Sequence, residues 1–564
     1  VFAVTNQTAL LVLILALLLG RFIAFPTLTA GATRALSSRW FLLVVGAVTA
    51  VFMTWLWGGL DQVAVIHDEA AYLLQAKLYA SGHWTAPGLP LPEFFEQYHV
   101  LVTPLLVPKY FPGHALMLVP GIWLGLPGLM PVMMLGVCGA LVFAVATRLS
   151  NPWIGLLAWL LWMTAPGVME FMPSYLSETT TGAFWMLGWY ALLRWLEDDG
   201  ERWLIVLAFS IGVGFLTRPL TMLVFAIPVG IVVLVRVGRR KSWATLVKPF
   251  GIGLAFLGIW LLWCQRTTGS PFHTPWELYR RAYIPDDTFG FGLTGQHPLR
   301  ALNPDMMAFN DWVMEAHRQY TRSSLPSQLR WRVIAIAANM WATRVVLLPV
   351  AALALITTSM AFWFGLGTAI LLVLTYLSYA HAPQWSVYYI EIQPVLAFAT
   401  AVGWWRLASF LANRRPSWPV RSIPAVTPNA VFAVLVSGLI LLPYTTRMVP
   451  YARAGTADGQ EYHRDFRDLV ASAPGDHIMV FIRYARGHSP HMSLVTNSPD
   501  LATARVWTVY DLGAENIKLM RLDPHRTPYL FDEENRVLLP IDSTGTLHYD
   551  RAIREPDSSE KNER

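Results

Sequence analysis

Apolar stretches of roughly 17 to 25 residues, each long enough to cross about 30 Å of hydrocarbon as a helix, recur along this chain from its beginning to about residue 447. The chain has 564 residues, of which 55% are hydrophobic and 14% charged, and its mean hydropathy is +0.43. That is more apolar material than one soluble core can hide, so a bilayer is its natural solvent. The net charge of +6 does not argue for a nucleic-acid partner. Much of the Lys and Arg sits in short clusters between apolar runs, which is a topological pattern. Cys138 and Cys264 both fall inside apolar stretches and read as packing residues, not as a disulfide or a metal site.

The expected spans are about 7–25, 40–57, 129–147, 152–168, 180–196, 203–217, 219–236, 249–265, 343–361, 362–380, 388–411 and 429–447, about twelve in all. The first run, Thr8 to Phe25, lacks a basic n-region and a small-residue cleavage site and reads as a retained helix. Residues 114–127, interrupted by Pro120 and Pro127, are too short for a crossing and read as re-entrant or interfacial. Basic clusters at Arg34 and Arg39, Arg148, Arg194 and Arg202, Arg236 to Lys241, and Arg414, Arg415 and Arg421 alternate along these spans. One orientation places them all in the cytoplasm. It puts both termini outside, together with the loops 58–113 and 266–340.

The fold class that follows is an all-α polytopic membrane protein of about twelve helices with a small C-terminal α/β extracytoplasmic domain. Residues 1–448 form the transmembrane domain and 449–564 the extracytoplasmic one. In the latter, Ile478 to Ile482 and Arg505 to Tyr510 read as strands, and the charged end from Glu555 to Arg564 reads as disordered.

Directly after the second span comes Val65-Ile66-His67-Asp68-Glu69-Ala70-Ala71-Tyr72. Two adjacent carboxylates at a membrane surface need a reason. If a helix begins here, Asp68 near its N-terminus is favoured by the macrodipole and Tyr72 shares its face. Asp68 is then either a helix cap or a general base that takes the proton of an acceptor hydroxyl. His67, His99, His114, His273 and His381 lie on the same expected side, but no spacing among them forms a recognised ligand set. Asp286-Asp287, in the long loop expected to cover the acceptor, reads as a turn.

The Asp68-Glu69-x-x-Tyr72 segment resembles the Asp-Glu motif of the GT-C superfamily of membrane glycosyltransferases, in the branch of protein O-mannosyltransferases and aminoarabinose transferases. Lys109-Tyr110-Phe111-Pro112-Gly113-His114, Ser174-Tyr175-Leu176-Ser177-Glu178, Gly214-Phe215-Leu216-Thr217-Arg218-Pro219 and Tyr388-Tyr389-Ile390-Glu391-Ile392-Gln393-Pro394 resemble further family segments in the same order. Together they cover about residues 40 to 410. The resemblance implies transfer of a sugar from a polyprenyl-phosphate donor, with inversion, outside the cytoplasm. It also implies Asp68 as the base and Glu69 as its tuning or positioning partner. Tyr72, Lys109, His114, Glu178, Arg218, Tyr388, Tyr389 and Glu391 become substrate-binding candidates. Some relatives carry Arg where this chain has Ala71, so a donor-phosphate contact must come from elsewhere.

Arg218 fits that contact, since a guanidinium fork suits phosphate, and fits equally a snorkelling interfacial arginine. Arg344 is a weaker phosphate candidate that could instead pair with Glu178 or Glu391. A divalent metal is a further expectation, with Glu178 and His381 as weak ligand candidates. The partners implied are the lipid-linked donor, membrane lipids and an acceptor that is a protein, a lipid or a glycan, with no nucleic acid. The competing readings are a transporter or flippase of lipid-linked saccharides, against which no internal repeat is visible, and a silent scaffold for the C-terminal domain.

Overall fold

The structure is a computed structural model that describes residues 2–342, 344–356, 359–412 and 423–554. The basic cluster at Arg414, Arg415 and Arg421 and the charged end 555–564 lie outside the described residues. The chain is mostly helical and forms two compact units.

The first unit comprises residues 1–60, 128–257 and 321–455. Among the described residues, five helices are long and apolar enough to cross a membrane: Arg39–Trp57, Leu129–Leu149, Pro219–Arg240, Trp243–Thr268 and Ser386–Ala412. The bent pair Pro428–Pro443 and Met448–Ser472 brings this to six if counted as one span. Their starts follow from sequence. Ser38 accepts from the Trp40 amide, and Thr427 from that of Ala430, satisfying N-terminal donors that have no helical partner. Gly58, at φ 92°, ends the helix Arg39–Trp57 in the left-handed conformation that glycine adopts without cost.

Helix Leu129–Leu149 packs against Arg39–Trp57, Pro152–Met163 and Glu178–Asp198. Its approach to the first is close: a Cβ on Gly136 would stand 2.9 Å from the carbonyl oxygen of Gly46. Small residues of this kind let membrane helices meet backbone to backbone. Buried indoles are satisfied across helices, Trp159 by Thr49 at 2.9 Å, Trp341 by Thr400 at 3.1 Å and Trp404 by Ser437 at 2.9 Å. This lets large aromatic surfaces be buried without stranding an N–H.

Of the about twelve expected spans, five or six have, among the described residues, a helix long and apolar enough to cross. The span at 152–168 stops at Met163, because Pro166 has no amide hydrogen and holds Ala165 extended at ψ 133° before a short second helix, Pro166–Phe171. The span at 343–361 is also broken, its described part being the helix Leu347–Ala352 and the 3-10 turn Leu353–Ile356; Thr343 and residues 357–358 lie outside the described residues. Glu201–Thr217 and Met360–Tyr376 have 17 residues each and are apolar but short.

The second unit comprises residues 61–127, 258–320 and 456–564. It holds a five-stranded sheet in the order Val506–Tyr510, Ile478–Arg483, Thr527–Asp532, Val537–Pro540, Ile553–Arg554. The first three strands are parallel and the last two antiparallel. The central strand is apolar at consecutive positions because both its faces are covered. Met479 and Phe481 pack with Ala71, Phe94 and Leu519, whereas Ile478, Val480 and Ile482 pack with Phe466, Leu469 and Val470. The long 266–340 loop is largely helical, with Pro275–Tyr283, Pro304–Gln319 and Leu325–Trp341.

Candidate active site

The helix His67–Ala80 begins at the acidic pair. Glu69 performs the capping that the sequence offered to Asp68. Its Oε2 accepts from the Val65 amide at 2.7 Å and the Ile66 amide at 3.3 Å, and the residue is buried. Asp68 is thereby released from capping and turns into a cluster of rings. Tyr110 donates to its Oδ1, His67 Nδ1 stands 2.8 Å from its Oδ2, and His99 Nε2 stands 3.6 Å from the same oxygen. The Asp68 side chain is 30% exposed, against 4% and 7% for the two imidazoles. A reactive carboxylate must be reachable, and this one is the open member of a closed group.

The remaining neighbours hold that group. Tyr72 stacks on Tyr110 at 4.2 Å with rings 17° apart, and His114 meets Tyr72 edge-on at 4.9 Å. His114 is fully buried. Lys109 is buried, pairs with Asp287 at 3.2 Å and lies over the rings of Tyr110 and Tyr279. Asp286 lies in a turn, as expected, in which the Asp287 amide donates to the Ile284 carbonyl at 3.1 Å, and its Oδ1 accepts from the amide and hydroxyl of Thr294. His491 stacks on His67, with His491 Nδ1 3.0 Å from His67 Nε2.

Burial pushes the Asp68 carboxyl up, but His99 and His67 outweigh it and hold the group well below the usual carboxylate range. Burial, reinforced by Lys109, brings His99 down to about 3. At neutral pH Asp68 is therefore an ionised carboxylate.

The other predicted residues gather in the first unit. Arg218 Nη1 lies 3.1 Å from Oε1 of Glu178 and 3.1 Å from Oε1 of Glu391, with side chains 9%, 8% and 0% exposed. This is not a snorkelling arginine: its head group is inside, between two carboxylates. The ring of Tyr388 lies beneath the guanidinium, 5.8 Å away. Arg344 does not pair with Glu178 or Glu391. Its guanidinium donates to the Leu161 and Met340 carbonyls and the Thr164 hydroxyl, so it closes a helix break.

His381 does not join Glu178 in a ligand set. Its two nitrogens face the Ala382 carbonyl and the Tyr389 hydroxyl, each at 2.9 Å. The group of metal-ligating type among the described residues is His67, Asp68 and His99 instead. His99, Tyr110 and His491 are the members that sequence reasoning did not assign to Asp68. Tyr110 carried a signal as part of the Lys109-to-His114 segment and His99 as one of the histidines on the expected side, whereas His491 carried none.

A multi-pass membrane protein with a partly open carboxylate among buried rings is the class this architecture and site define. Comparison with protein families bears on which class of enzyme it resembles. Residues 127–263 match the family described as dolichyl-phosphate-mannose-protein mannosyltransferase, and the chain thus resembles the GT-C membrane glycosyltransferases its motifs suggested. Comparison with curated proteins finds no match. Among solved structures, it is similar to ArnT from Cupriavidus metallidurans bound to undecaprenyl phosphate, at 12% identity and a TM-score of 0.49, over 88% of this chain and 93% of that one. It is also similar to the oligosaccharyltransferase of Archaeoglobus fulgidus in its apo form, at 11% identity and 0.38, over 91% and 74%.

Proposed function

We propose that this chain is a glycosyltransferase that moves a sugar from a polyprenyl-phosphate donor to an acceptor hydroxyl on the extracytoplasmic side of the membrane. Asp68 is its general base. As the acceptor oxygen bonds to the anomeric carbon, the bond from that carbon to the phosphate oxygen breaks and the lipid phosphate departs. Asp68 takes the acceptor's proton. One displacement inverts the anomeric centre.

The observation that carries this reading is an ionised carboxylate, 30% exposed, held at the start of a helix among buried rings. Tyr110 orients Oδ1, Tyr72 supports Tyr110, and Glu69 fixes the helix start. The family match supports sugar transfer and a lipid-phosphate donor, and lends nothing to the flippase reading. Arg218, already neutralised by two carboxylates, is better read as a structural cation than as the donor-phosphate contact.

The test is Asp68→Asn, which keeps the side-chain shape and removes the basic oxygen. General-base catalysis is worth about 10²- to 10⁴-fold, so transfer from a polyprenyl-phosphate sugar should fall by that factor while expression and membrane insertion persist. Near-normal turnover removes Asp68 as the base.

A further inference from the structure

We infer that the crevice at the carboxyl ends of the strands Ile478–Arg483 and Thr527–Asp532 binds a saccharide, with His488 Nε2 accepting from one of its hydroxyls. Given the proposed reaction, on which this part rests, the saccharide is the acceptor. The three parallel strands stand in the order second, first, third along the chain, Ile478–Arg483 lying between Val506–Tyr510 and Thr527–Asp532. Their connections use opposite faces of the sheet. Leu494 and Val495, between the first strand and the second, pack with Ile478, Val480 and Ile482, whereas Leu519, between the second and the third, packs with Met479 and Phe481. Where connections diverge in this way, a crevice opens beyond the carboxyl ends of the first and third strands, and it is there that open α/β sheets bind ligands.

The residues leaving those two ends meet. Glu533, directly after Thr527–Asp532, accepts from the Ala485 amide at 2.7 Å and from the Tyr462 hydroxyl. Its Oε1 lies 2.9 Å from His488 Nδ1, and Tyr484 stacks on the imidazole at 3.9 Å. An ionised carboxylate draws the imidazole proton to Nδ1, so the lone pair is on Nε2, on the side of the ring away from Glu533. The His488 side chain is 9% exposed, and Nε2 has no hydrogen-bond partner among the described residues. A buried acceptor without a donor is costly, and the bond to Glu533 uses only Nδ1. Gly487 and Ser489 on either side are exposed, so a ligand reaches the ring without opening a core.

The groups around the nitrogen select a neutral hydrogen-bond donor. Half-buried Asp305 is near enough for His488 to lower its carboxyl and Glu533 to raise it. Two carboxylates beside the ring disfavour an anion. Glu533 already accepts from three donors, which favours hydroxyls over an ammonium group. Hydroxyls spaced along a sugar can donate to His488 and Asp305 together. The crevice also adjoins the reacting carboxylate. His491, three residues beyond His488, stacks on His67 at 4.8 Å, and Phe309, on the helix that carries Asp305, meets the same ring at 5.8 Å. A saccharide anchored at His488 is thereby led towards Asp68.

The test exposes the full chain, purified in detergent, to an array of immobilised oligosaccharides with no lipid-linked donor present. The wild-type chain should be retained on a subset of them. His488→Asn keeps an amide for Glu533 but has no atom at Nε2, and should bind about tenfold more weakly. His488→Gln, whose amide falls near Nε2, should recover most of that loss. Asp305→Ala, outside the Glu533 cluster, should weaken retention independently. A wild-type chain retained on no oligosaccharide overturns the site, and so does retention on amino sugars alone or retention unchanged in both His488→Asn and Asp305→Ala. No retention, together with lost transfer in Asp68→Asn, keeps the reaction and removes the saccharide site. Retention that depends on His488, together with full turnover of Asp68→Asn, keeps the site and removes Asp68 as the base.

Discussion

Replacing Arg218 with methionine removes a cation whose Nη1 lies 3.1 Å from a carboxylate oxygen of both Glu178 and Glu391. The two acids, 8% and 0% exposed, would lose the cation they share. Deleting one partner of a buried pair costs about 3–5 kcal/mol because a charge is stranded. Here one deletion strands two, so the expected loss lies near the upper end, about 5 kcal/mol. Replacing an entire buried ion group by neutral residues of similar volume is often nearly neutral. The triple variant Arg218→Met, Glu178→Gln, Glu391→Gln should therefore regain most of the loss, to within about 1–2 kcal/mol of wild type. Thermal unfolding of the detergent-purified chain reads both. A triple variant as unstable as the single one refutes the charge argument, because the damage would then come from lost packing. Donor affinity measured on a stable triple variant addresses the phosphate role separately, and an unchanged value rules it out.

Tyr110→Phe keeps the stack on Tyr72 and removes the hydrogen bond to Asp68 Oδ1. Hydrogen bonds to charged groups are worth about 1.5–3 kcal/mol, so turnover should fall about 10- to 100-fold with apparent acceptor affinity little changed; unaltered turnover removes Tyr110 as the orienting group. Gly403→Ala would drive a Cβ to 1.9 Å from the Val350 carbonyl oxygen, whereas the same change at Gly367 meets nothing within 4 Å. The first should destabilise by about 3 kcal/mol or more and the second gain up to about 1 kcal/mol, and equal unfolding temperatures for the pair would contradict the packing described. Burial pushes the Glu533 carboxyl up, but His488, Tyr462 and the Ala485 amide bring it below its ordinary 4.5. Its contribution is thus fully present above pH 4.5 and is lost as pH falls through the lower folded value. Acid unfolding of wild type should be steeper in that window than that of Glu533→Gln, and parallel curves would show that the cluster does not hold the carboxylate.

The longest apolar runs were legible because hydrophobicity and length suffice to define a membrane helix. Spans expected at 40–57, 129–147, 219–236, 249–265 and 388–411 each coincide with one of the five long helices to within a few residues. The expectation failed where a run was apolar but internally punctuated. Pro166 ends a helix inside an apolar stretch, and Arg344 sits in another with its charge spread over carbonyls and a hydroxyl. A hydropathy window averages over both. In the sheet, Ile478 to Ile482 was readable as a strand because an unbroken apolar run flanked by turn residues fits one covered on both faces.

The site divides along the same line between local and distant causes. Asp68 at a helix start, with an acid beside it, is written into eight consecutive residues, and the geometry adds only which of the two carboxylates caps. What surrounds Asp68 is not written locally. Tyr110 comes from 42 residues away, and His491 reaches His67 across 424. No spacing rule connects such positions, because the strands and turns that carry them meet only after the chain has folded. Charge pairing shows the same limit. Arg218, Glu178, Glu391 and Arg344 were all recognisable as costly charges near a membrane, but which of them share a pair depends on helix packing. A single arginine took both acids, and that leaves Arg344 to backbone carbonyls and one hydroxyl. Sequence thus identifies the groups that must be compensated, and only the packed structure says by what.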